Sequence, residues 1–153
     1  MQHPLQISRK IEYGLRAMIF LAAQPPDLVV SFREIARRMD VPQEFLAKIL
    51  KTLVGKGYVK STRGAHGGYT LAMPPSQISM LDVIEAVEGP IKVNVCQDDS
   101  HDGCHLTHSC TMYGVWKLGQ ARMMDVYRSA TLDKLAMSEL RPQDRRPLPA
   151  ASA

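Results

Sequence analysis

The sequence predicts a mainly α-helical chain that carries one small β-hairpin. Three observations support this: short amphipathic segments fill residues 7–54, a glycine-rich turn joins two β-type segments, and a long amphipathic segment covers residues 109–130. The composition is that of a globular protein, with 45% hydrophobic and 22% charged residues among 153. The longest apolar run has seven residues, whereas a membrane span needs about 20. The first ten residues lack the apolar stretch of a secretory signal. We therefore expect a cytoplasmic protein without a membrane partner.

Three short helices are predicted in the first third of the chain. In residues 7–24, apolar side chains recur at steps of three and four, and two prolines end the pattern. Ser31 and Glu34 have the spacing of a capping box and open a second helix. Asp40 is expected to cap a third helix, which runs to about Val54. Its predicted inward residues are Phe45, Leu46, Ile49, Leu50 and Leu53.

A hairpin follows the third helix. Strands are predicted over residues 58–62 and 69–72, and the loop between them, RGAHGG, is rich in glycine. The proline-containing segment 73–76 is a candidate linker. We therefore divide the chain into a DNA-binding winged helix-turn-helix domain (1–75), a cysteine loop with a dimerisation helix (76–140) and a disordered tail (141–153).

In the second part of the chain, the sequence predicts a helix over residues 79–88, a cysteine-bearing loop over 91–109 with a strand-like start, and a long helix over 109–130. The apolar stripe of the long helix is too large to be buried by so small a region of the same chain. We therefore expect the same helix of a second copy to bury it. This predicts a homodimer. The stripe consists of Met112, Trp116, Gly119, Met123, Val126 and Ala130.

Charge and element order together predict binding to double-stranded DNA. Residues 1–75 hold 11 Lys and Arg against five Asp and Glu, whereas residues 76–153 hold eight against ten. In a winged helix-turn-helix the third helix enters the major groove and the hairpin reaches an adjacent groove. A solvated helical domain with a tight turn is the alternative. The residues predicted to contact DNA are Ser31, Arg33, Gln43, Glu44, Lys48, Lys51, Lys60, Ser61, Arg63 and His66.

These residue types suit different parts of the duplex. Gln43 and Lys48 can donate to base edges, and Lys51 and Arg33 suit phosphates. Arg63 suits a narrow minor groove. The glycines of the loop also resemble a phosphate-binding nucleotide loop, but that motif requires a following helix, and a β-type segment follows here.

Three cysteines lie close together in the sequence, with the spacing Cys96-x7-Cys104-x5-Cys110. An odd number confined to one loop argues against a disulfide framework and favours metal or redox chemistry. Three thiolates suit iron–sulfur or zinc. Neighbouring His and Asp side chains could supply a fourth ligand. Free thiols and a metal-free thiol switch remain alternatives.

Patterns typical of enzymes are missing from the sequence. It has no Cys-x-x-Cys pair, no His-Glu-x-x-His and no defensible Ser-His-Asp order. A DNA-binding sensor is therefore predicted, and not an enzyme. A protein adaptor would leave Arg63 and the basic surplus without a role.

Over residues 7–132 the chain resembles the IscR, NsrR and RirA type of bacterial transcription regulator. The resemblance lies in EYGLRA at 12–17, the Phe45-Leu46 pair, GYVKSTRGAHGGYTL at 57–71 and the cysteine cluster before a long helix. It implies a homodimeric repressor with an exchanged long helix. It also implies an iron–sulfur cluster, [4Fe-4S] or [2Fe-2S], that senses iron, nitric oxide or redox state.

The resemblance also implies a ligand set. Cys96, Cys104 and Cys110 match the family's three cluster thiolates. Some members use a His three residues after the last Cys, where this chain has Tyr113; others use a carboxylate from the first helix of the partner subunit, which Glu12 matches. Lys48 and Arg63 match positions near DNA, whereas Glu44 and Ala47 depart from the iron–sulfur-biogenesis branch.

Overall fold

The computed structural model describes residues 7–94, 96 and 104–139. The predicted tail at 141–153 and the histidine and aspartates at 98–102 lie outside these residues. The mainly α-helical fold with one hairpin is confirmed. In chain order the elements are helices α1 (Arg9–Ala22), α2 (Phe32–Met39) and α3 (Gln43–Gly55), strands β1 (Val59–Thr62) and β2 (Gly68–Leu71), and helices α4 (Met80–Glu88), α5 (Tyr113–Ser129) and α6 (Leu132–Glu139).

Serine side chains begin three of these helices. Ser8 caps α1, and the Ser31 hydroxyl accepts from the Glu34 amide at 3.2 Å, as the capping pattern predicts. The Glu34 carboxylate itself binds arginines on its own helix. A complete capping box occurs at Ser79 and Asp82, at the start of α4.

The prediction that Asp40 caps α3 is wrong. Pro42 occupies the N-cap of α3 and gives it no side-chain hydrogen bond. Asp40 instead ends α2, with φ 51° and ψ 52°, in the left-handed region that short polar side chains tolerate. Residues 40–42 therefore separate the two helices, and α3 begins two residues later than the capping pattern predicts.

The hairpin is antiparallel, and its register pairs Val59 with Leu71 and Thr62 with Gly68. Val30, just before α2, forms a bridge to Tyr69 through two backbone hydrogen bonds of 2.8 and 2.9 Å. A Cβ on Gly68 would lie 2.2 Å from the Val30 carbonyl oxygen, so only glycine permits this approach. The bridge therefore ties the start of α2 to the hairpin.

One hydrophobic core joins both parts of the sequence. Fully buried side chains include Met18 of α1, Leu50 of α3 and Val83 of α4. Leu132 of α6 belongs to the same cluster, and its amide donates to the Ile78 carbonyl at 2.8 Å. The core therefore contains residues from both sides of position 75. The domain boundary at that position stays a prediction from the sequence.

Three further differences concern the second half. Helix α5 begins at Tyr113, four residues later than expected, because Cys104–Tyr113 forms a series of turns. Residues 91–94 contain no strand. Helix α6 was not predicted. None of the described helices is long and apolar enough to cross a membrane.

Candidate nucleic-acid interface and cysteine segment

Helix α3 has two distinct faces. Its buried face consists of Leu46, Ile49, Leu50 and Leu53, and its exposed face carries the four residues predicted to contact DNA, namely Gln43, Glu44, Lys48 and Lys51. Phe45 was predicted to be buried, and this is wrong: it is 45% exposed. Its ring leans on Tyr13 of α1, with 6.0 Å between ring centroids and 60° between planes. It lies between the two faces of the helix, beside Tyr13.

The hairpin presents the next four predicted residues. Lys60 and Ser61 lie on β1, and Arg63 and His66 lie in the loop; all four are exposed. The loop turns at Gly64, whose φ of 113° suits glycine. A Cβ at Gly67 would lie 2.4 Å from the Thr62 carbonyl oxygen. The two glycines therefore allow a tight loop that leaves Arg63 in solvent.

The start of α2 holds the remaining two DNA-contact candidates. Arg33 is exposed, and Ser31 uses its oxygen to cap the helix, which leaves its hydroxyl proton free to donate. The Arg38 and Arg37 guanidiniums bind Glu34 and hold the pKa of that carboxyl below its usual value. Two of the three arginines of α2 are therefore paired within their own helix.

The cysteine segment does not form a metal centre within the described chain. Cys96, Cys104 and Cys110 are free thiols and all three are partly buried. Among residues 7–94, 96 and 104–139, no three His, Cys, Asp or Glu side chains are grouped so that they could hold a metal ion. The thiolate donors suit iron–sulfur or zinc, and residues 97–103, which join Cys96 to Cys104, lie outside the described chain.

Glu12 lies on α1, and both of its carboxylate oxygens bind arginines. Oε2 binds Arg9 at 3.3 Å, and Oε1 binds Arg16 one turn further along the helix. Arg16 also lies over the Tyr13 ring and reaches the Met39 carbonyl. Arg16 was not among the residues predicted to be functional, although its four-residue spacing from Glu12 is a signal for a helical ion pair.

Helix α5 contrasts with every other long helix, because none of its 17 residues is buried. Its most exposed apolar side chains are Val115 at 69%, Val126 at 63% and Leu118 at 59%. Monomeric proteins rarely leave so many large apolar side chains on one helix in water. Within the stripe predicted from the sequence, Met112, Trp116 and Val126 are exposed and Met123 is partly buried, while Val115 and Leu118 add exposed apolar surface outside that stripe.

The three helices, the two-sided α3 and the hairpin that follows it define a winged helix-turn-helix protein. A family model described as "Rrf2: Iron-dependent Transcriptional regulator" matches residues 7–138. The chain belongs to the Rrf2 family of transcriptional regulators, which are not enzymes. This confirms the resemblance described above, since its structural neighbours include IscR.

Several known proteins are similar to the chain. A helix-turn-helix type transcriptional regulator of Mycobacterium tuberculosis (strain H37Rv) is 33% identical over 132 residues, which cover 86% of this chain and 81% of that protein. IscR of T. potens has a TM-score of 0.72 at 28% identity and covers 94% of both chains. CymR, the global cysteine regulator of B. subtilis, has a TM-score of 0.67 at 30% identity and covers 88% of this chain and 98% of its own.

Proposed function

We propose that this regulator is a homodimeric repressor that binds duplex DNA through α3 and the hairpin, and that its three cysteines control DNA affinity by holding an iron–sulfur cluster. The observation that carries the proposal is the exposed polar face of α3, followed directly by a hairpin with Arg63 in its loop. Membership of a family described as iron-dependent supports the sensing part.

Each part of this surface has a role in the proposal. Gln43 and Lys48 donate to base edges in the major groove, while Lys51 and Arg33 bind phosphates. Arg63 enters the adjacent minor groove, whose negative potential attracts guanidinium. Ser31, Lys60, Ser61 and His66 contact the DNA backbone, and Glu44 accepts from the amino group of a cytosine in the major groove.

Dimerisation is proposed through α5. Its exposed apolar side chains would be buried by an apolar surface on a partner, and a second copy of the chain presents the same surface. A two-fold dimer also presents two α3 helices at a fixed spacing, as a palindromic site requires.

Cys96, Cys104 and Cys110 are the proposed cluster ligands, with Glu12 as a fourth ligand across the dimer interface. The thiolates would supply the soft donors that iron–sulfur clusters prefer. In the described chain both Glu12 oxygens bind arginines, and the cysteines form no metal group. The cluster assignment therefore depends on direct measurement.

A second candidate is a regulator that carries zinc or switches through its thiols without iron. The likeness to CymR favours it. One such structure is the oxidised form of CymR from Staphylococcus aureus, with a TM-score of 0.68 at 29% identity. Because all three cysteines are free thiols here, oxidation could join two of them.

Metal analysis separates these candidates. Protein purified without oxygen should contain iron and acid-labile sulfide and absorb visible light, and all of these signals should disappear in Cys104→Ala. Ser109→Ala, a change in the same segment, is the matched control and should retain them. Zinc without sulfide would favour the second candidate, and protein without any metal would favour the thiol switch.

Salt-dependent binding to duplex DNA tests the DNA-binding part independently of metal. The Lys48→Ala/Lys51→Ala variant should weaken binding and reduce the slope of log affinity against log salt by about one for each phosphate that a lysine no longer neutralises. Lys134→Ala on α6 removes a distant positive charge and should leave the slope unchanged. Equal slopes for both variants would contradict the proposed interface.

A further inference from the structure

We propose that, in protein without a bound metal, Glu12 and Arg16 form a positioning pair that fixes the turn between α2 and α3 and thereby sets DNA affinity. The inference rests on the proposed function, since it takes α3 as the helix that enters DNA. It gives Glu12 a role other than that of a metal ligand.

The guanidinium of Arg16 connects three parts of the structure. It pairs with Oε1 of Glu12 on its own helix, and it lies 5.9 Å from the centre of the Tyr13 ring. Its Nη1 also donates to the Met39 carbonyl oxygen at 3.5 Å. The first contact fixes where the guanidinium lies, and the last brings α1 to the final residue of α2.

Met39 is the last residue of α2 and directly precedes the turn. The next residue, Asp40, is left-handed, and α3 starts at Pro42 without a side-chain cap. Within the turn, the Val41 side chain is buried and its amide donates to the Ala36 carbonyl. Arg16 of α1 adds a contact from outside the turn.

The far side of the turn is also in contact with α1. The Tyr13 ring packs against Phe45, which lies in the first turn of α3. Tyr13 therefore contacts both the Arg16 guanidinium and the Phe45 ring, and side chains of α1 reach both ends of the turn. This contact also accounts for a half-exposed phenylalanine on a helix that otherwise buries its large apolar side chains.

In the metal-free chain both carboxylate oxygens of Glu12 are engaged by arginines, as a positioning role requires. Arg9 binds one carboxylate oxygen and Arg16 the other, so that a metal would have to displace an arginine. The pair needs no metal to exist, because all of its atoms belong to α1. Its effect on DNA binding should therefore persist in protein that lacks the three thiols.

The test is DNA affinity of the full chain, measured with and without the thiols. In a Cys96→Ser/Cys104→Ser/Cys110→Ser background, Glu12→Ala should weaken binding to duplex DNA by about fivefold. Simple electrostatics predicts the opposite sign, since the variant loses a negative charge and becomes more attractive to phosphate. Arg16→Ala should weaken binding to a similar extent, and the double variant should be no weaker than either single one.

Arg9→Ala is the matched control. It removes the same charge as Arg16→Ala, also breaks a contact with Glu12, and lies at a 77% exposed side chain outside the contacts with Tyr13 and Met39. Its effect should be limited to the small loss expected for one distant charge. Arg16→Lys keeps the charge and should restore part of the affinity, and it serves as the test if Arg16→Ala does not fold.

A spectroscopic readout separates positioning from general loss of structure. The amide of Asp40 belongs to the same peptide group as the Met39 carbonyl, so its nitrogen NMR shift should move in Arg16→Ala and Glu12→Ala but not in Arg9→Ala. Tighter or unchanged binding of Glu12→Ala, or an effect confined to protein with its cysteines, would overturn the proposal. Failure of the parent protein to bind DNA would instead reject the proposed function.

Discussion

The DNA-binding unit and helix α5 differ in where their stability comes from. Helices α1, α3 and α4 bury large side chains completely against one another, and α6 adds Leu132 to the same core. Helix α5 buries none of its residues and exposes valine and leucine side chains. We infer that the first region is stabilised by its own chain, whereas the second depends on a partner and hence on protein concentration.

The largest expected effect tests the first half of this comparison. Ile49→Ala removes a fully buried side chain from α3 and should lower the free energy of unfolding by about 2–5 kcal/mol. Lys51→Ala, on the exposed face of the same helix, should change it by less than about 0.5 kcal/mol. Urea denaturation followed by circular dichroism measures both, and equal losses would contradict the assignment of faces.

The second prediction tests the dependence of α5 on a partner. Val115→Asp/Val126→Asp places charges among the exposed apolar side chains of α5, so the protein should sediment as a monomer and bind a palindromic duplex about 100-fold more weakly. Met137→Asp adds a charge at an exposed apolar site on α6 and serves as the control. A dimer that survives the double substitution would show that α5 is not its interface.

A smaller effect concerns the bridge between the hairpin and α2. Gly68→Ala forces a Cβ against the Val30 carbonyl and should cost about 1–3 kcal/mol of stability, with weaker DNA binding from a displaced hairpin. At Gly55, where an added Cβ meets nothing within 4 Å, alanine should be tolerated. Thermal unfolding compares them, and an unchanged midpoint for Gly68→Ala would argue against the bridge.

The smallest expected effect is pH-dependent. Because Arg38 and Arg37 lower the pKa of Glu34, the pairs stabilise the fold above the usual carboxyl pKa of 4.5 and lose this effect as the pH falls through the lowered value. The difference in thermal unfolding midpoint between the parent and Glu34→Gln should therefore shrink as the pH falls from about 6 to about 3. A constant difference would mean that Glu34 acts through something other than its charge.

The sequence predicted those elements whose signals are local. Ser31 and Ser79 begin helices at capping residues, and the glycine loop forms the hairpin turn. It missed α6, since eight residues with Leu132, Leu135 and Ala136 inward give only one repeat of the helical pattern. Local signals therefore locate elements best where a cap or a turn marks their ends.

Features that depend on tertiary contact were harder to predict. Phe45 follows the apolar pattern of α3, and only the position of Tyr13 on α1 explains its partial exposure. Asp40 is a residue type that often caps the start of a helix, but here it ends α2, because that helix extends to Met39. The contacts of Arg16 across to Met39 join residues 23 positions apart, which no periodicity reveals.

The central claim is that the three cysteines control DNA affinity. The most direct measurement is the dissociation constant for one duplex, selected from a random pool, before and after a chelator removes metal from anaerobically purified protein at fixed salt. This constant should change by about tenfold or more when the metal is removed, and the change should be absent from the variant without the three cysteines. Equal affinities in both states of the parent protein would contradict it.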